Sequence, residues 1–336
     1  MFPLLLLAGV ASASPTPLFK REVFQNDVLP DVDFPDPSLF YNYLNSQMYV
    51  YATAAGGKCI PYTSTRTFPS RDFAPVQEAF PSENAPGWSQ PCSSWAPDVN
   101  IAPNNGKSHW MYYAPELKNQ TGIHCISLAT STQPGGPYID TSSEPMICPA
   151  ADGGAIDPAF YRDSSPADGS CYVLYKIDTP NNNKGHTMCD DDTNHMRTPI
   201  MLQQVDCDSG QPTNGGPTEI YNNNGDVDRW NIEAPSLYRG SDGTYFLFYS
   251  SGCYSNESYT WNYVTSQFLK GPYGNPQSVV RSGEKGNSGP GGADIVLGGA
   301  FPGAVAWHSL RGGDIKNGRQ LNVGTMQYNG ASAQVV

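Results

Sequence analysis

Short apolar segments bounded by turn residues recur along the chain, whereas apolar residues spaced at helical intervals are scarce. The clearest segment begins Gly153-Gly154-Ala155-Ile156-Asp157-Pro158 and continues into Ala159-Phe160-Tyr161. Paired glycines allow a close approach of the backbone, and we expect the proline to hold Asp157 in an extended conformation. The stretch therefore predicts a turn that delivers a carboxylate to the start of a buried strand.

The same arrangement recurs at regular intervals. Prolines mark four of the starts, at positions 37, 97, 158 and 235, so the steps between them are 60, 61 and 77 residues. A weaker fifth start is Gly291-Gly292-Ala293-Asp294, where Ala293 stands 58 residues beyond Pro235. Second apolar segments follow three of the starts, at residues 108–114, 170–175 and 243–250.

A repeat of this length fits a generous four-stranded blade. Five repeats predict an all-β protein, a five-bladed β-propeller that forms a single domain over residues 22–336. The additional length of the third repeat is assigned to a loop over residues 178–197 that covers one face.

Three acids precede marker prolines by one or two residues: Asp36, Asp157 and Glu233. The first strand of each propeller blade lines the central channel, so we expect these carboxylates to meet in one funnel. Hydrolysis of a glycoside with inversion needs an acid and a base roughly 6.5–9.5 Å apart, and a third carboxylate would orient the acid. Three solvated turn acids are the alternative, because Asp-Pro is a common turn pair.

Composition narrows the class of protein. Charged residues make up only 15% of the chain and the net charge is −12, which disfavours nucleic-acid binding. Abundant glycine and proline are typical of a turn-rich, all-β protein. We expect no membrane binding, because no later stretch approaches the length of a membrane helix. We also expect the protein to be a monomer.

The N-terminal residues predict export. An apolar run from Met1 to about Ala13 ends in small residues, as a secretory signal does. Lys20-Arg21 marks either a propeptide cut or an exposed basic pair, so residues 1–21 are predicted to be a signal peptide with a short propeptide. The mature protein is expected to be secreted and extracellular.

Eight cysteines without a close C-x-x-C pair favour disulfides in a secreted chain, although their pairing stays unassigned. Cys189 with His186 and His195 is either a metal cluster or, as we favour, part of a disulfide-pinned loop. The run Asp190-Asp191-Asp192 lacks the spacing of a calcium loop. Asn119 and Asn256 occupy N-glycosylation motifs, which is consistent with secretion.

Four segments together resemble glycoside hydrolase family 43 over about residues 31–328. These are Phe34-Pro35-Asp36-Pro37-Ser38, Trp95-Ala96-Pro97-Asp98, Ile156-Asp157-Pro158 and Glu233-Ala234-Pro235-Ser236. The resemblance implies an inverting mechanism in which Asp36 is the general base and Glu233 the general acid. Asp157 would tune and orient the acid.

The resemblance also implies that Trp95 stacks on the sugar near the cleavage point, with a plain core tryptophan as the alternative. Four further aromatic residues are candidates for the rim, where we expect packing rather than sugar contact: Trp230, Tyr254, Tyr259 and Trp261.

The fifth repeat departs from the family pattern. Many members carry a histidine in a Pro-Gly-His segment near a central metal ion or water, and this chain has Pro290-Gly291-Gly292. We therefore expect no required cofactor and assign no metal ligand. Whether a structural calcium ion is bound is a separate question. Asp294 is a candidate to take the place of the histidine, and His308, on the following strand, is a candidate to point into the channel.

The resulting prediction is a secreted inverting hydrolase that cleaves arabinose- or xylose-containing plant cell-wall polysaccharides or oligosaccharides. The resemblance implies α-L-arabinofuranosidase, arabinanase or β-xylosidase activity. The long third-repeat loop favours a closed pocket that acts on chain ends. The competing hypothesis is a non-catalytic carbohydrate-binding propeller, which would not need all three acids.

Overall fold

The computed structural model describes residues 24–104, 106–163, 169–179, 189, 195–296 and 303–336. Five antiparallel sheets follow one another along these residues. In the described part of the chain the remaining regular elements are short 3₁₀ turns, and α-helix is absent. The predicted all-β, five-bladed propeller is confirmed.

Each sheet is one blade. The first blade contains four strands, Ser38–Asn42 (β1), Gln47–Tyr51 (β2), Pro61–Thr65 (β3) and Gln77–Glu78 (β4). The second contains three described strands, Ser89–Ile101 (β5), His109–Leu117 (β6) and Ser127–Ser131 (β7). The third contains Ala155–Arg162 (β8), Cys171–Ile177 (β9), Ile200–Val205 (β10) and Thr218–Tyr221 (β11).

The last two blades also have four strands each. The fourth contains Ile232–Arg239 (β12), Tyr245–Ser251 (β13), Thr260–Ser266 (β14) and Gly274–Val280 (β15). The fifth contains Gly291–Ile295 (β16), Ala304–Leu310 (β17), Arg319–Asn329 (β18) and Ser332–Val335 (β19). The short 3₁₀ turns lie at Ser82–Asn84, Ala150–Asp152, Gly225–Asp228, Glu284–Gly286, Arg311–Gly313 and Ile315–Asn317.

The first strands of the blades form a ring, because β1 contacts β5, β5 contacts β8, β8 contacts β12, β12 contacts β16 and β16 contacts β1. The N-terminal segment closes this ring against β18. Gln25 pairs with Val323, the Val28 amide donates to the Leu321 carbonyl, and the Phe34 amide donates to the Arg319 carbonyl. The two ends of the described chain are thus joined by backbone hydrogen bonds.

The apolar core is divided among the spaces between adjacent blades. Five clusters of buried side chains lie between successive pairs of blades around the ring. Central strands are consequently buried on both faces, and every residue of Tyr245–Ser251 is buried. This burial explains why the second strand of a repeat is a continuous apolar run rather than an alternating one.

The two glycines before Asp157 have the role that the sequence predicts. A Cβ on Gly153 would lie 2.1 Å from the Asp178 carbonyl oxygen, and a Cβ on Gly154 would lie 2.3 Å from the His124 carbonyl oxygen. Both glycines have positive φ angles, so another residue would be strained as well as crowded. The pair allows the start of β8 to pass between neighbouring backbone segments.

The expectation that Asp157 is extended is wrong. Its φ angle is +55°, in the left-handed region, and the pairing of β8 with β9 shifts register between Ile156 and Ala159. A following proline disfavours the right-handed helical region for Asp157. The left-handed conformation found in this β-bulge also avoids that region. The bulge turns the Asp157 side chain towards the channel.

All eight cysteines form disulfides, as the even count predicts. The pairs are Cys59–Cys92, Cys125–Cys148, Cys171–Cys207 and Cys189–Cys253. Since Cys189 is bonded to Cys253, it is a disulfide partner and not a metal ligand. The predicted signal and propeptide, His186, residues 190–192 and most of the third-blade loop lie outside the described residues.

No helix in the described part of the chain has the length and apolar character needed to cross a membrane.

Candidate active site

Each blade enters the channel through a residue with a left-handed backbone. The five residues at this position, which we call the entrance residues, are Asp36, Ala96, Asp157, Ala234 and Gly292, with φ angles between +40° and +55°. Each immediately precedes a marker proline or Ala293. Four are non-glycine residues in a conformation that costs energy, and such strain concentrates at functional sites.

The predicted site residues are either entrance residues or the residues directly before them. Asp36 and Asp157 are entrance residues themselves, whereas Glu233 and Trp95 each precede an entrance residue by one position. The four side chains line a single cavity of about 220 Å³. The remaining lining residues are Thr53, Ala54, Ile156, Asp178, Tyr254, Tyr259 and Arg319.

Cationic and polar groups surround Asp36. Thr53 Oγ1 donates to its Oδ2 at 2.7 Å, and Arg319 Nη1 lies 3.2 Å from its Oδ1. The Asp36 amide donates to His308 Nδ1 at 3.0 Å, so that this nitrogen is an acceptor and its 3.3 Å contact with Oδ1 is not a hydrogen bond. Burial acts to raise the pKa of Asp36, but the charge of the Arg319 guanidinium and the hydrogen bond from Thr53 act in the opposite direction, and the pKa is lowered. Asp36 is therefore held as a carboxylate, the form that a general base requires.

Asp157 has the opposite electrostatic environment. Burial raises its pKa well above the usual range, and the negative charges of Glu233 and Asp36 raise it further. One oxygen, Oδ2, accepts the amide hydrogen of Ala234 at 2.8 Å and so joins the third blade to the fourth. Asp157 consequently contacts the residue next to Glu233 and carries a carboxyl group that favours protonation.

Three donors hold the Glu233 carboxylate. Tyr259 donates its hydroxyl to Oε1 at 2.8 Å, and Lys176 Nζ lies 3.1 Å from Oε2. The Asn231 amide also approaches Oε2, at 3.4 Å. Burial raises the pKa of Tyr259, so its hydroxyl remains a donor. The side chain of Glu233 is thereby fixed on the cavity wall.

Trp95 lies on an imidazole. Its indole ring is stacked on that of His124, with 3.6 Å between the ring centroids and an 18° angle between the planes. Burial lowers the pKa of His124 to about 4, although Glu116 and the Gly122 carbonyl act in the opposite direction. One face of the indole is covered by a neutral ring, and Trp95 remains partly exposed where it lines the cavity.

Residues in or just after the second strand of each blade lie opposite the residues before the entrances, and only His308 among them was named from the sequence. The positions paired with the residues before the entrances are Thr53, Ala114, Lys176, Ser250 and His308. Four of these side chains contact the next blade around the ring. Thr53 accepts the Ala96 amide, Ser250 the Gly292 amide and His308 the Asp36 amide, while Lys176 contacts Glu233.

Some of these residues left a signal in the sequence. Lys176 is a charged residue within the apolar strand Cys171–Ile177, which is unusual for a buried strand. His308 faces the channel as the sequence suggested. Thr53, Asp178 and Arg319 carry no local motif, because their relation to the site depends on pairing between distant segments.

The four rim aromatics lie in three different environments. Trp261 is buried and stacks on Trp307, in agreement with a packing role. Tyr254 and Tyr259 line the cavity, and the Arg319 guanidinium lies 5.2 Å from the Tyr254 ring centroid. Trp230 is partly exposed and stacks on His195 with 4.1 Å between centroids.

A calcium ion takes roughly six to eight oxygen ligands, and Asp294 is the acid that the sequence offers in place of the histidine. Asp294 accepts hydrogen bonds from the amides of Leu39 and Ile295 and from Ser236 Oγ. Within the described ranges, three or more His, Cys, Asp or Glu side chains do not converge as a metal site. We therefore derive no catalytic step through a metal.

Comparison with known sequences decides the family. The profile of Glycosyl hydrolases family 43 matches residues 24–331. The chain belongs to this family. No curated protein matches it at a significant level.

Solved structures show the same fold for this family 43 chain. A thermostable family-43 glycoside hydrolase superposes with a TM-score of 0.73 at 23% identity, covering 90% of this chain and 93% of that one. An endo-arabinase from Bacteroides thetaiotaomicron gives 0.65 at 15% identity, with 91% and 98% covered. A xylan β-1,4-xylosidase from Bacillus halodurans gives 0.63 at 17% identity, with 91% and 56% covered.

Membership makes the chain a glycoside hydrolase, and the four segments that resemble the family contribute Asp36, Trp95, Asp157 and Glu233 to the cavity. Gly292 stands where the sequence comparison led us to look for a histidine, and Gly291 pairs with His308 on the neighbouring strand.

Proposed function

We propose that this protein is a secreted, monomeric hydrolase that cleaves arabinose- or xylose-containing plant cell-wall polysaccharides or oligosaccharides with inversion. The observation that carries the proposal is the convergence of Asp36, Asp157 and Glu233 on one cavity. Structural neighbours named as an arabinase and a xylosidase support the pentose class. Four disulfides and exposed Asn119 and Asn256 support a secreted glycoprotein.

The proposed mechanism assigns one role to each acid. Asp36, kept ionised by Arg319, removes a proton from water as the water attacks the anomeric carbon. Glu233 gives a proton to the departing glycosidic oxygen. Asp157 orients Glu233 through the hydrogen bond that its carboxyl group accepts from the Ala234 amide. The free face of Trp95 packs against the sugar ring.

The cavity supports cleavage at chain ends. Its volume of about 220 Å³ suits one sugar ring better than several. The Cys189–Cys253 disulfide ties the third-blade loop to the segment that carries Tyr254 on the cavity wall. We therefore propose a pocket that accepts a terminal pentose.

Product analysis tests these proposals together. The protein is incubated with arabinan, arabinoxylan and xylan, and chromatography identifies the released sugars while proton NMR follows the anomer formed first. Release of a single pentose with inverted configuration is expected. Internal fragments from linear arabinan would overturn the end-cleaving mode, and retained configuration would overturn the roles of Asp36 and Glu233.

The second candidate is a carbohydrate-binding protein without catalytic activity, because stacking of a sugar on the free face of Trp95 does not need the three acids. Sugar binding by calorimetry without release of any product from these polysaccharides would favour it.

A further inference from the structure

We propose that Lys176 is a positioning residue for Glu233: its ammonium fixes the carboxylate on the cavity wall and places a buried positive charge in direct contact with it. The inference rests on the proposed function, since it assumes that Glu233 is the proton donor. The ammonium lies 3.1 Å from Glu233 Oε2, 3.1 Å from Asn231 Oδ1 and 3.3 Å from Asp178 Oδ1. Its side chain is only 1% exposed.

A buried ammonium needs a strong reason, because an unpaired charge in the interior is costly. Lys176 lies in β9, where its neighbours Tyr175 and Leu174 are buried in the core, so an apolar residue would suit the strand. Burial acts to lower the pKa of Lys176, but Glu233, Asp178 and Asp157 outweigh it and raise the pKa. The side chain is therefore a permanent positive charge beside the acid.

Its position in the repeat indicates what the charge does. The equivalent residues Thr53, Ser250 and His308 each accept an amide hydrogen from the entrance residue of the next blade. Lys176 is the member of this set that donates instead, and it contacts a carboxylate rather than the backbone. A purely structural link could use an uncharged side chain, as the other blades do.

The electrostatic surroundings of Glu233 come from several blades. The titratable and charged groups that face it or its ammonium partner are Lys176, Asp178, Asp157, Tyr259, Tyr254, Asp36, Arg319 and His308. Arg319 is engaged with Asp36, and burial lowers the pKa of His308 so that its ring is neutral. Lys176 is thus the cation in direct contact with Glu233 among the described residues.

The prediction concerns the basic limb of the pH profile of kcat/KM, where the proton donor loses its proton. Lys176→Gln removes a positive charge that favours the Glu233 carboxylate, so the limb should move to higher pH by about one unit or more. Asp178→Asn removes a competing negative charge beside the same ammonium, so the limb should move to lower pH. Lys176→Arg keeps the charge and should leave the limb near its wild-type position even if kcat falls.

The profiles are measured on a natural pentoside and on an aryl glycoside whose leaving group needs little protonation. The limb shifts are expected on the natural pentoside, and circular dichroism verifies that each variant is folded. If Lys176→Gln lowers activity equally on both substrates and leaves the limb unmoved, the residue is structural and the proposal fails. If Lys176→Gln does not fold, Asp178→Asn still tests the proposal, because its basic limb should move in the opposite direction, to lower pH.

A readout without turnover separates this proposal from the proposed function. Infrared difference spectra of the ligand-free protein record the protonated carboxyl band that Glu233→Gln removes. In Lys176→Gln this band should persist to higher pH than in the wild type. If wild type cleaves no pentoside but the band shifts, the proposed function fails and the electrostatic control by Lys176 stands. An unshifted band would overturn the proposal regardless of activity.

Discussion

His308 occupies the space that Gly292 leaves open. A Cβ at Gly292 would lie 2.5 Å from His308 Cε1, 2.6 Å from Nδ1 and 2.9 Å from Asp36 Oδ1. The glycine also has a φ angle of +55°, which suits a residue without a side chain. The missing side chain in one strand is therefore coupled to a histidine on the next strand, and both border the proposed base.

Gly292→Ala should lose at least about tenfold in kcat/KM and about 2 kcal/mol or more in free energy of unfolding, because the added methyl clashes and the backbone is strained. Chemical denaturation and initial rates measure the two effects. Gly87→Ala is the matched control, since an added Cβ there meets no atom within 4 Å. Adding His308→Ala to Gly292→Ala should cost less than the sum of the single changes. Strict additivity would show that the two residues are not coupled.

Glu233→Ala should reduce activity on natural polysaccharide by about 10²–10⁴-fold. The loss should be much smaller on an aryl glycoside, because a good leaving group departs without a proton. Initial rates on both substrates measure the difference. The exposed Glu83→Gln serves as a control that should behave as wild type. Equal losses on the two substrates would remove Glu233 from the role of acid.

Asp36→Asn should abolish cleavage of both substrates, since each needs an activated water. The Arg319 guanidinium is the main group that lowers the pKa of Asp36 against the effect of burial. Arg319→Gln should therefore move the acid limb of kcat/KM to higher pH. Arg197→Gln, an exposed arginine paired with Glu219, is the control. An unmoved acid limb in Arg319→Gln would mean that another group sets it.

Two carboxylates deeper in the channel predict how stability depends on pH. Burial raises the pKa of Asp98 and of Asp294, and the Asp294 charge raises that of Asp98 further. Each of these acids has a higher pKa in the folded state than in the unfolded state, so its protonated form stabilises the fold. This stabilisation is complete below about pH 4 and is lost as pH rises through the folded-state pKa.

Asp294→Asn should therefore reduce the fall in Tm between pH 5 and pH 8 that this pair produces, as calorimetry would show. An asparagine oxygen still accepts the Leu39 amide, so the link from the fifth blade to the first is kept. A Tm difference as large as that of wild type would contradict the assignment of charge repulsion to this pair.

The stack of Trp95 on His124 predicts an optical signal. Burial lowers the pKa of His124 to about 4. Because a protonated imidazole in contact with an indole quenches its emission, tryptophan fluorescence should fall as pH drops through this value. Trp95→Phe and His124→Phe should both lack the transition. His124→Ala should raise KM more than it lowers kcat, while His124→Phe should restore KM. A transition that survives in Trp95→Phe would belong to another tryptophan.

The sequence predicted the parts of the fold that are encoded locally. The marker prolines at 37, 97, 158 and 235 fall at the entrances of four blades, and the apolar runs after them are the buried second strands. Three cavity carboxylates were found because each lies beside such a marker. The period of the repeat, rather than any single motif, identified the propeller.

The remaining features depend on contacts between distant residues. Arg319 reaches Asp36 from β18, and no local pattern distinguishes it from an exposed arginine. The conformation of Asp157 was predicted wrongly because the proline rule states which region is disfavoured and not which of the others is used. Residue type alone does not distinguish Trp95 from Trp261, but of these two tryptophans only Trp95 lines the cavity.

The segment before Asp36 hydrogen-bonds to the strand that begins with Arg319. Asp36 itself contacts Arg319 and His308, which both belong to the fifth blade. During synthesis on the ribosome, the first blade emerges long before these partners do. The contacts that hold Asp36 therefore form only after the fifth blade has been made and has docked against the first.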